Sequence, residues 1–383
     1  MNNINLKSKL RVLKEDSGNH SPSIETLKNE IPDFNIKIDA CFLSNPYATD
    51  LFLDRLDREV ISSGKLRDLL EFYPPQNRSV AKHIATVSKI NHTNIFVGNG
   101  AIEIIQAVLH RFVKKKLCVI IPTFSSYYEF VRPDTEVFFF NLKKEEDFYL
   151  DPEKLIKFIY DNQVDSLVLI NPNNPNGGYI DSAILKFMVH ELRFLDCLIV
   201  DESFIHFAYE SYDFNPLSAE NLVSSYNNLV VVKSMSKDFG IAGLRAGYAV
   251  MSQERVNLLL GNGYLWNISG LTGYFFKLYS DPEFLLSYEL TRKNYIANTL
   301  IFIEQMRSLR DVRVYSSKAN FVLLELENKS SYDFTTDLLI DQGIYVRDCG
   351  DKIGLQGQFI RVASRTVEEN IDIVYGMRTL LEK

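Results

Sequence analysis

The sequence is poor in cysteine, and its few cysteines are not paired by spacing. Cys41, Cys118, Cys197 and Cys349 stand far apart, and no CxxC motif is present. The pattern therefore indicates neither a disulfide-rich secreted scaffold nor a cysteine-based metal site, although it leaves a single disulfide open. We expect free thiols, a reducing compartment and no bound metal.

The chain also lacks an excess of basic residues and any long apolar run. Lysine and arginine number 42 against 49 acidic residues, which gives a formal net charge of −7. This balance argues against a protein that binds nucleic acid without regard to sequence. No apolar run approaches the ~20 residues that cross a bilayer, and residues 1–23 contain no apolar core of a secretory signal. We therefore expect a cytoplasmic protein that contacts neither nucleic acid nor membrane.

What the chain does contain is typical of a large globular protein. Hydrophobic residues make up 46% of the sequence and charged residues 24%. Short β-rich apolar runs alternate with helical patterns, such as that of residues 181–195, through the middle of the chain. Such alternation predicts a mostly parallel sheet covered by helices on both faces. The runs lie at residues 116–121, 166–171, 197–202 and 228–234.

The C-terminal part of the chain predicts a small α+β domain. A long helix over about 283–309 precedes one strand over 312–326, a helix, and strands over 344–349 and 358–364. Thr366 and Glu369 form a capping-box pair that opens the last helix. We expect three parts: residues 1–50 joining the small domain and the substrate site, a large domain at 51–278, and a small domain at 279–383.

A glycine-rich segment with a lysine and an arginine follows the apolar run at 228–234. It reads Ser234-Met-Ser236-Lys237-Asp-Phe-Gly-Ile-Ala-Gly-Leu-Arg245. Glycines allow a backbone to approach a ligand closely. The alternative is a turn between a strand and a loop with solvated charges.

Three further segments stand where strands meet turns or helices. Residues 171–178, which include Asn174, follow a strand at the edge where open α/β sheets bind ligands, although such clusters are often only turns. Asp201 ends another apolar strand, where it either caps a helix or serves a buried cation. Gly100, Ala101 and Ile102 open an apolar-periodic helix whose amides and dipole suit a phosphate.

Along the chain, the phosphate cradle at residues 100–102 comes first, then the turn at 171–178, then Asp201, then the segment 234–245 with its lysine and arginine. In that order the four segments resemble the fold-type I pyridoxal 5′-phosphate (PLP) enzymes of the aspartate aminotransferase class. The resemblance covers nearly the whole chain. It implies an α/β fold with a large domain built on a mostly parallel sheet, a small α+β domain, and PLP as cofactor. A non-catalytic sensor with the same fold is the competing class. Such proteins typically add a DNA-binding module, for which this chain has neither spare length nor basic charge.

The resemblance also implies a role for individual residues. Lys237 would carry the cofactor as a Schiff base and move protons at the substrate Cα. Asp201 would keep the ring nitrogen protonated, so that the ring withdraws electrons. Tyr73 would reach the phosphate in a neighbouring subunit, which implies a homodimer with shared sites. The remaining cofactor contacts would be the turn at Gly100, Ala101 and Ile102, the hydroxyls of Ser234 and Ser236, and the side chains of Phe124, Asn174, Phe204 and Arg245.

Two sister families are most similar: histidinol-phosphate aminotransferases and threonine-phosphate decarboxylases. Asn45, in Asn-Pro-Tyr, resembles a substrate motif of the aminotransferases. Phe204 stands where the aminotransferases usually have tyrosine, and His20 lies in a Gly-Asn-His segment similar to one that meets substrate phosphate in the decarboxylases. Phe204 is alternatively a core residue and His20 a residue of a mobile tail. The C-terminal signature of the decarboxylases is matched by Arg347, Arg361 and Arg365.

These three arginines predict a substrate with more than one anionic group. Clustered arginines repel one another unless anions lie between them, and a carboxylate with a phosphate meets that demand. We expect decarboxylation of L-serine phosphate to ethanolamine phosphate, or of L-threonine phosphate to aminopropanol phosphate. One methyl group separates the two substrates by only about 1–3 kcal/mol, so the sequence leaves the choice open. The alternative reaction is transamination, with L-glutamate, of a phosphorylated carbonyl compound such as the ketone of histidinol phosphate or dihydroxyacetone phosphate.

Overall fold

The computed structural model describes residues 3–32 and 35–383. The helices are α1 Asn3–Asp16, α2 Ile24–Glu30, α3 Pro46–Leu56, α4 Leu66–Glu71, α5 Asn77–Ser88, α6 Gly100–Phe112, α7 Ser126–Glu129, α8 Pro152–Asp161, α9 Ser182–Glu191, α10 Gln253–Leu260, α11 Gly270–Tyr279, α12 Pro282–Arg307, α13 Ser331–Gln342 and α14 Val367–Leu381. The strands are β1 Ile38–Asp39, β2 Ile95–Asn99, β3 Lys116–Ile121, β4 Glu136–Asn141, β5 Ser166–Ile170, β6 Cys197–Asp201, β7 Leu229–Ser234, β8 Ala246–Val250, β9 Val312–Val314, β10 Phe321–Leu326, β11 Ile344–Tyr345, β12 Arg347–Asp348 and β13 Gln358–Ala363.

A seven-stranded mixed sheet forms the larger part of the fold. Its strand order is β2-β8-β7-β6-β5-β3-β4, and β8 alone runs antiparallel to its neighbours. Alternate residues of one strand enter different cores: Leu167 and Leu169 lie in one, Val168 and Ile170 in the other. Both faces of the sheet are therefore covered, which explains the continuous apolar runs within β3, β5, β6 and β7. The predicted strands and the mostly parallel sheet are confirmed.

A second sheet, with the order β12-β13-β10-β9, is antiparallel and makes a smaller α+β unit with α12, α13 and α14. The N-terminal segment contributes to this unit, because β1 pairs in parallel with β11. The capping box of Thr366 and Glu369 is present at the start of α14. Within the described ranges, no helix is both long enough and apolar enough to cross a bilayer.

Three details of the secondary structure differ from the sequence prediction. The strand expected over 312–326 is two strands, β9 and β10, which pair antiparallel around a loop at 315–320. The helix expected over 181–195 ends at Glu191, and the strand expected at 344–349 divides at Val346. At this division β11 pairs with β1 and β12 pairs with β13, so the residues predicted as one strand belong to two different sheets.

Candidate active site

A cavity of about 240 Å³ opens where β5, β6 and β7 end. Ile170, Asp201 and Ser234 stand at the last positions of these strands and line it. The start of α6, the small sheet and residues 19–21 of the N-terminal segment close its other sides. Parallel strands bring their carboxyl ends to one edge of a sheet, so residues distant in the sequence meet here.

Lys237 lies just beyond β7 and lines the cavity. Its backbone carbonyl accepts a hydrogen bond of 2.9 Å from the Asn45 amide, which fixes the loop. Burial, together with the charges of Arg361 and Arg245, lowers the pKa of Lys237 to about 8. A substantial fraction of this amine is therefore neutral near pH 7.5, as a nucleophile toward a carbonyl group requires.

Asp201 is buried at the end of β6 and is held by two donors. The Tyr127 hydroxyl donates to Oδ2 at 2.7 Å and the Ser203 amide donates to Oδ1 at 2.8 Å. Burial raises the pKa of Asp201, so the carboxylate is suited to a cationic partner in the cavity. Burial and the Asp201 charge raise the pKa of Tyr127 well above its usual value, which keeps the phenol a proton donor.

The start of α6 forms a recess beside the Arg245 guanidinium. Gly100 has a φ of 77°, and a Cβ there would lie 2.7 Å from Arg245 Nη2. Gly247 on β8 passes so close behind that its Cβ would lie 2.8 Å from the Ala101 nitrogen. The amides at the start of α6 and the hydroxyls at the end of β7 consequently face one cavity. The lining residues here are Ala101, Ile102, Ser234, Ser236 and Arg245.

Two phenylalanines and a histidine form further walls. Phe124 lines the cavity, and the His20 ring meets it edge-on with centroids 6.1 Å apart. Phe204 lines the cavity as well. Its ring also packs edge-on against Phe321, with centroids 5.2 Å apart, so Phe204 belongs both to the core of the small unit and to the cavity wall. His20 lies 3.7 Å from Glu129, and burial lowers its pKa.

Arg347 and Arg361 face each other across the pairing of β12 and β13 and both line the cavity. Arg361 Nη1 donates to the Asn174 Oδ1 at 2.6 Å, and Nη2 donates to the Cys41 carbonyl at 2.7 Å. Its buried Nε has no hydrogen-bond partner within residues 3–32 and 35–383. Arg347 instead pairs with Asp351, at 2.6 Å.

Three side chains proposed from the sequence lie outside this cavity, and Gly100 stands behind its lining at the start of α6. Asn45 is buried as the N-cap of α3, where its Oδ1 accepts from the Ala48 amide at 3.4 Å. Arg365 turns to Glu369 at 3.3 Å, because the chain leaves β13 before it. Tyr73 is 80% exposed and stacks on Trp266 with centroids 4.7 Å apart, away from the cavity of its own chain.

Comparison with known proteins gives the family. Residues 53–375 match the model of the aminotransferase class I and II family. The chain belongs to the class I and II aminotransferase family. The fold and family predicted from the sequence are thereby confirmed.

Individual members of this family are similar to the chain over nearly its full length. An L-serine phosphate decarboxylase of Campylobacter jejuni is 52% identical, over 96% of this chain and 94% of the relative. A solved decarboxylase structure from Sulfurospirillum multivorans has a TM-score of 0.95 at 45% identity and covers 99% of this chain and 97% of that one. The histidinol-phosphate aminotransferase of Clostridium acetobutylicum has a TM-score of 0.78 at 28% identity, with 90% of this chain and 99% of that one covered.

For this member of the class I and II aminotransferase family, the sequence prediction missed several residues that line the cavity and one, Tyr127, that supports it from behind. Tyr127 lies in an ordinary short helix, α7, and only the tertiary structure brings it to Asp201. Lys352 stands on the loop between β12 and β13 and lines the cavity. Its position among glycines in Cys349-Gly-Asp-Lys-Ile-Gly was the one available signal. The other missed lining residues are Asn19, Ser21, Cys41, Phe42, Leu43, Ile105, Ile170 and Ser203.

Proposed function

We propose that this protein is a PLP-dependent carboxy-lyase that converts L-serine phosphate to ethanolamine phosphate and CO₂. One observation carries the proposal: beside Lys237 and Asp201, the cavity holds a second cationic group, Arg347 and Arg361. An anionic cofactor and a substrate with two anionic groups would occupy these regions. The relative named L-serine phosphate decarboxylase, at 52% identity, favours decarboxylation over transamination and serine phosphate over threonine phosphate.

The residues present fit PLP. Adding a Cβ at Gly100 would crowd Arg245 at 2.7 Å, so glycine keeps this recess open for phosphate oxygens. The amides of Ala101 and Ile102 would bind the phosphate together with Ser234, Ser236 and Arg245. Asp201 would pair with the ring nitrogen, and Phe124, Asn174 and Phe204 would contact the ring.

Bound PLP supplies a carbonyl group that joins an amine and a ring that accepts the electron pair left at the substrate Cα. Lys237 would hold the cofactor through Nζ and, after CO₂ leaves, deliver a proton to Cα. Asp201, held by Tyr127 and Ser203, would keep a positive charge on the ring nitrogen. Phe124 and Phe204 line the cavity and would exclude water from the reacting face, which would strengthen these charge interactions.

The hydrogen bonds of Arg361 suit the loss of a carboxylate. A tight bidentate ion pair would stabilise the carboxylate more than the departing CO₂ and would slow the reaction. Both Nη atoms of Arg361 already donate to the protein, at 2.6 Å and 2.7 Å, while the buried Nε has no partner in the described residues. These bonds occupy two of the five N–H donors of the guanidinium and would weaken its grip on the carboxylate. Arg361 would therefore orient the carboxylate, while Arg347 and His20 would face the substrate phosphate.

We also propose a homodimer with shared active sites, a cytoplasmic location, and the three-part division at residues 1–50, 51–278 and 279–383. Tyr73 and Trp266 form an exposed aromatic pair away from their own cavity, which supports a role in a neighbouring subunit. The four cysteines are buried and unpaired, as expected in a reducing compartment.

The reaction is tested by supplying both classes of substrate. Purified holoenzyme is incubated with L-serine phosphate, with L-threonine phosphate, and with L-glutamate plus a phosphorylated ketone. We expect CO₂ and ethanolamine phosphate from L-serine phosphate, with slower release from L-threonine phosphate. Steady formation of 2-oxoglutarate without CO₂ would instead establish the aminotransferase.

Two variants assign the roles within that assay. Lys237→Ala removes the group that holds the cofactor, so the protein should lose the absorbance of bound PLP together with turnover. Arg361→Gln should retain the cofactor but lose about 2–5 kcal/mol of substrate binding, since the desolvated substrate carboxylate would lose its partner. Full turnover by Lys237→Ala, or reaction of unphosphorylated serine as fast as its phosphate ester, would contradict the proposal.

A further inference from the structure

Lys352 is a buried cation whose charge the protein leaves uncompensated. The side chain lines the cavity, and the residue is 9% exposed. Its Nζ donates to the Asn19 carbonyl at 3.3 Å. Across the described part of the chain, no carboxylate oxygen lies within 4.0 Å of this ammonium, whereas the neighbouring Arg347 has Asp351 at 2.6 Å.

Such an arrangement is costly unless a ligand completes it. A buried charge with one weak partner forfeits most of its hydration. Burial and the Arg347 charge accordingly lower the pKa of Lys352 to about 8. The groups that act on it come from several elements: Arg347 on β12, Cys349 and Asp351 on the same loop, Arg361 on β13, and His20 from the N-terminal segment.

Comparing the cations at the cavity with their carboxylate partners shows which anion the Lys352 ammonium can bind. Asp351 lies 2.6 Å from Arg347 and 2.7 Å from Lys14, so one carboxylate is shared by two cations and these three groups keep a net charge of +1. Lys237 and Arg245 lie on the side proposed for the cofactor. Arg361 and Lys352 remain, each without a carboxylate within 4.0 Å in the ranges that the structure describes. Arg361 would take the substrate carboxylate, which leaves Lys352 for the phosphate.

We propose that Lys352 is a specificity-determining residue that binds the phosphate dianion of the substrate. This inference rests on the proposed function and names the group that recognises the second phosphate charge. The phosphate dianion matches the ammonium of Lys352 together with the net positive charge of Arg347, Lys14 and Asp351. An acid whose side chain ends in a single negative charge would leave one of these two positive charges without an anion. Lys352 thus favours phosphate esters over carboxylate analogues such as L-aspartate and L-glutamate.

The test compares Lys352→Met with Lys352→Arg. For Lys352→Met we expect KM for L-serine phosphate to rise about 30-fold or more, the consequence of removing one partner of a desolvated charge pair, with a smaller change in kcat. Lys352→Arg should recover most of the loss. Lys318→Met is the matched control, because Lys318 is also a partly buried lysine but lines a separate cavity.

Binding without turnover separates this inference from the proposed function. Inorganic phosphate and ethanolamine phosphate are titrated into holoenzyme, whose cofactor already fills its own phosphate site, with calorimetric detection. Weaker binding of both molecules to Lys352→Met supports the inference even if the native enzyme does not decarboxylate L-serine phosphate. Equal binding to native and Lys352→Met protein, or binding to neither, would overturn it.

The pH dependence of KM distinguishes phosphate binding by Lys352 from a purely structural role, which would not change it. The substrate phosphate becomes a dianion above pH ~6, and Lys352 loses its proton as the pH rises through about 8 in the free site. KM of the native enzyme should therefore be lowest between these values and rise above pH 8. Lys352→Arg stays charged, so its KM should stay flat through that range; the same rise in both proteins would contradict the inference.

Discussion

At the residue scale, the side chains that prepare the cavity act by holding other side chains. Tyr127 is fully buried, and its hydroxyl donates to Asp201 at 2.7 Å. Tyr127→Phe removes this donor and leaves a buried carboxylate oxygen without it, so the pKa of Asp201 should rise further. We expect PLP affinity to fall by about 1–3 kcal/mol, measured by dialysis of bound cofactor. Tyr128→Phe is the control, because Tyr128 packs against Phe139 instead; an equal loss in both variants would refute the role of Tyr127.

A second residue-scale prediction concerns the amine of Lys237. Its pKa of about 8 means that the rate of PLP uptake by the apoenzyme should rise with pH, reach half its maximum near pH 8 and level off at higher pH. The uptake rate rises with pH because only the deprotonated amine attacks a carbonyl group. Arg361→Gln removes a nearby positive charge, so the pH midpoint of uptake should move upward. Uptake is followed by absorbance after mixing; a midpoint near 10.5 in the native protein would contradict this account.

At the element scale, the closeness of β8 to the start of α6 sets the shape of the phosphate recess. A Cβ at Gly247 would lie 2.8 Å from the Ala101 nitrogen, while one at Gly243 would meet nothing within 4 Å. Gly247→Ala should therefore displace the first turn of α6, at a cost in stability of about 1–3 kcal/mol, and lower PLP affinity. Gly243→Ala, in the same glycine-rich segment, is the control. Denaturant midpoints and cofactor retention measure both effects; unchanged values for Gly247→Ala would show that the strand and helix can separate at no cost.

At the scale of the whole molecule, we expect the site to be completed by a second copy of the chain. Sedimentation should give twice the chain mass of 44.1 kDa. A mixture of Lys237→Ala and Tyr73→Ala chains tests whether Tyr73 acts across the interface. If it does, mixed dimers contain one site with both residues intact, and activity returns on mixing. A stable active monomer, or no recovery in demonstrated mixed dimers, would contradict the shared site.

The sequence by itself determined the features that depend on local pattern. Continuous apolar runs predicted β3, β5, β6 and β7, because strands covered on both faces need apolar residues at every position. The residues at or just after these strand ends, Asp201 and Lys237 among them, could be predicted to meet, since parallel strands end at one edge of the sheet. The capping box at Thr366 was equally local.

Only the tertiary structure decided which polar side chains enter the cavity. Arg361 and Arg365 have the spacing of one strand face, yet the strand ends at Ala363 and Arg365 turns to Glu369. Arg347 enters because its strand pairs with β13 in a register that places it opposite Arg361. Tyr127 and Lys352 lie on a short helix and a loop whose patterns carry no sign of their partners. Register, strand ends and loop paths arise from packing between distant segments, so local sequence does not encode them.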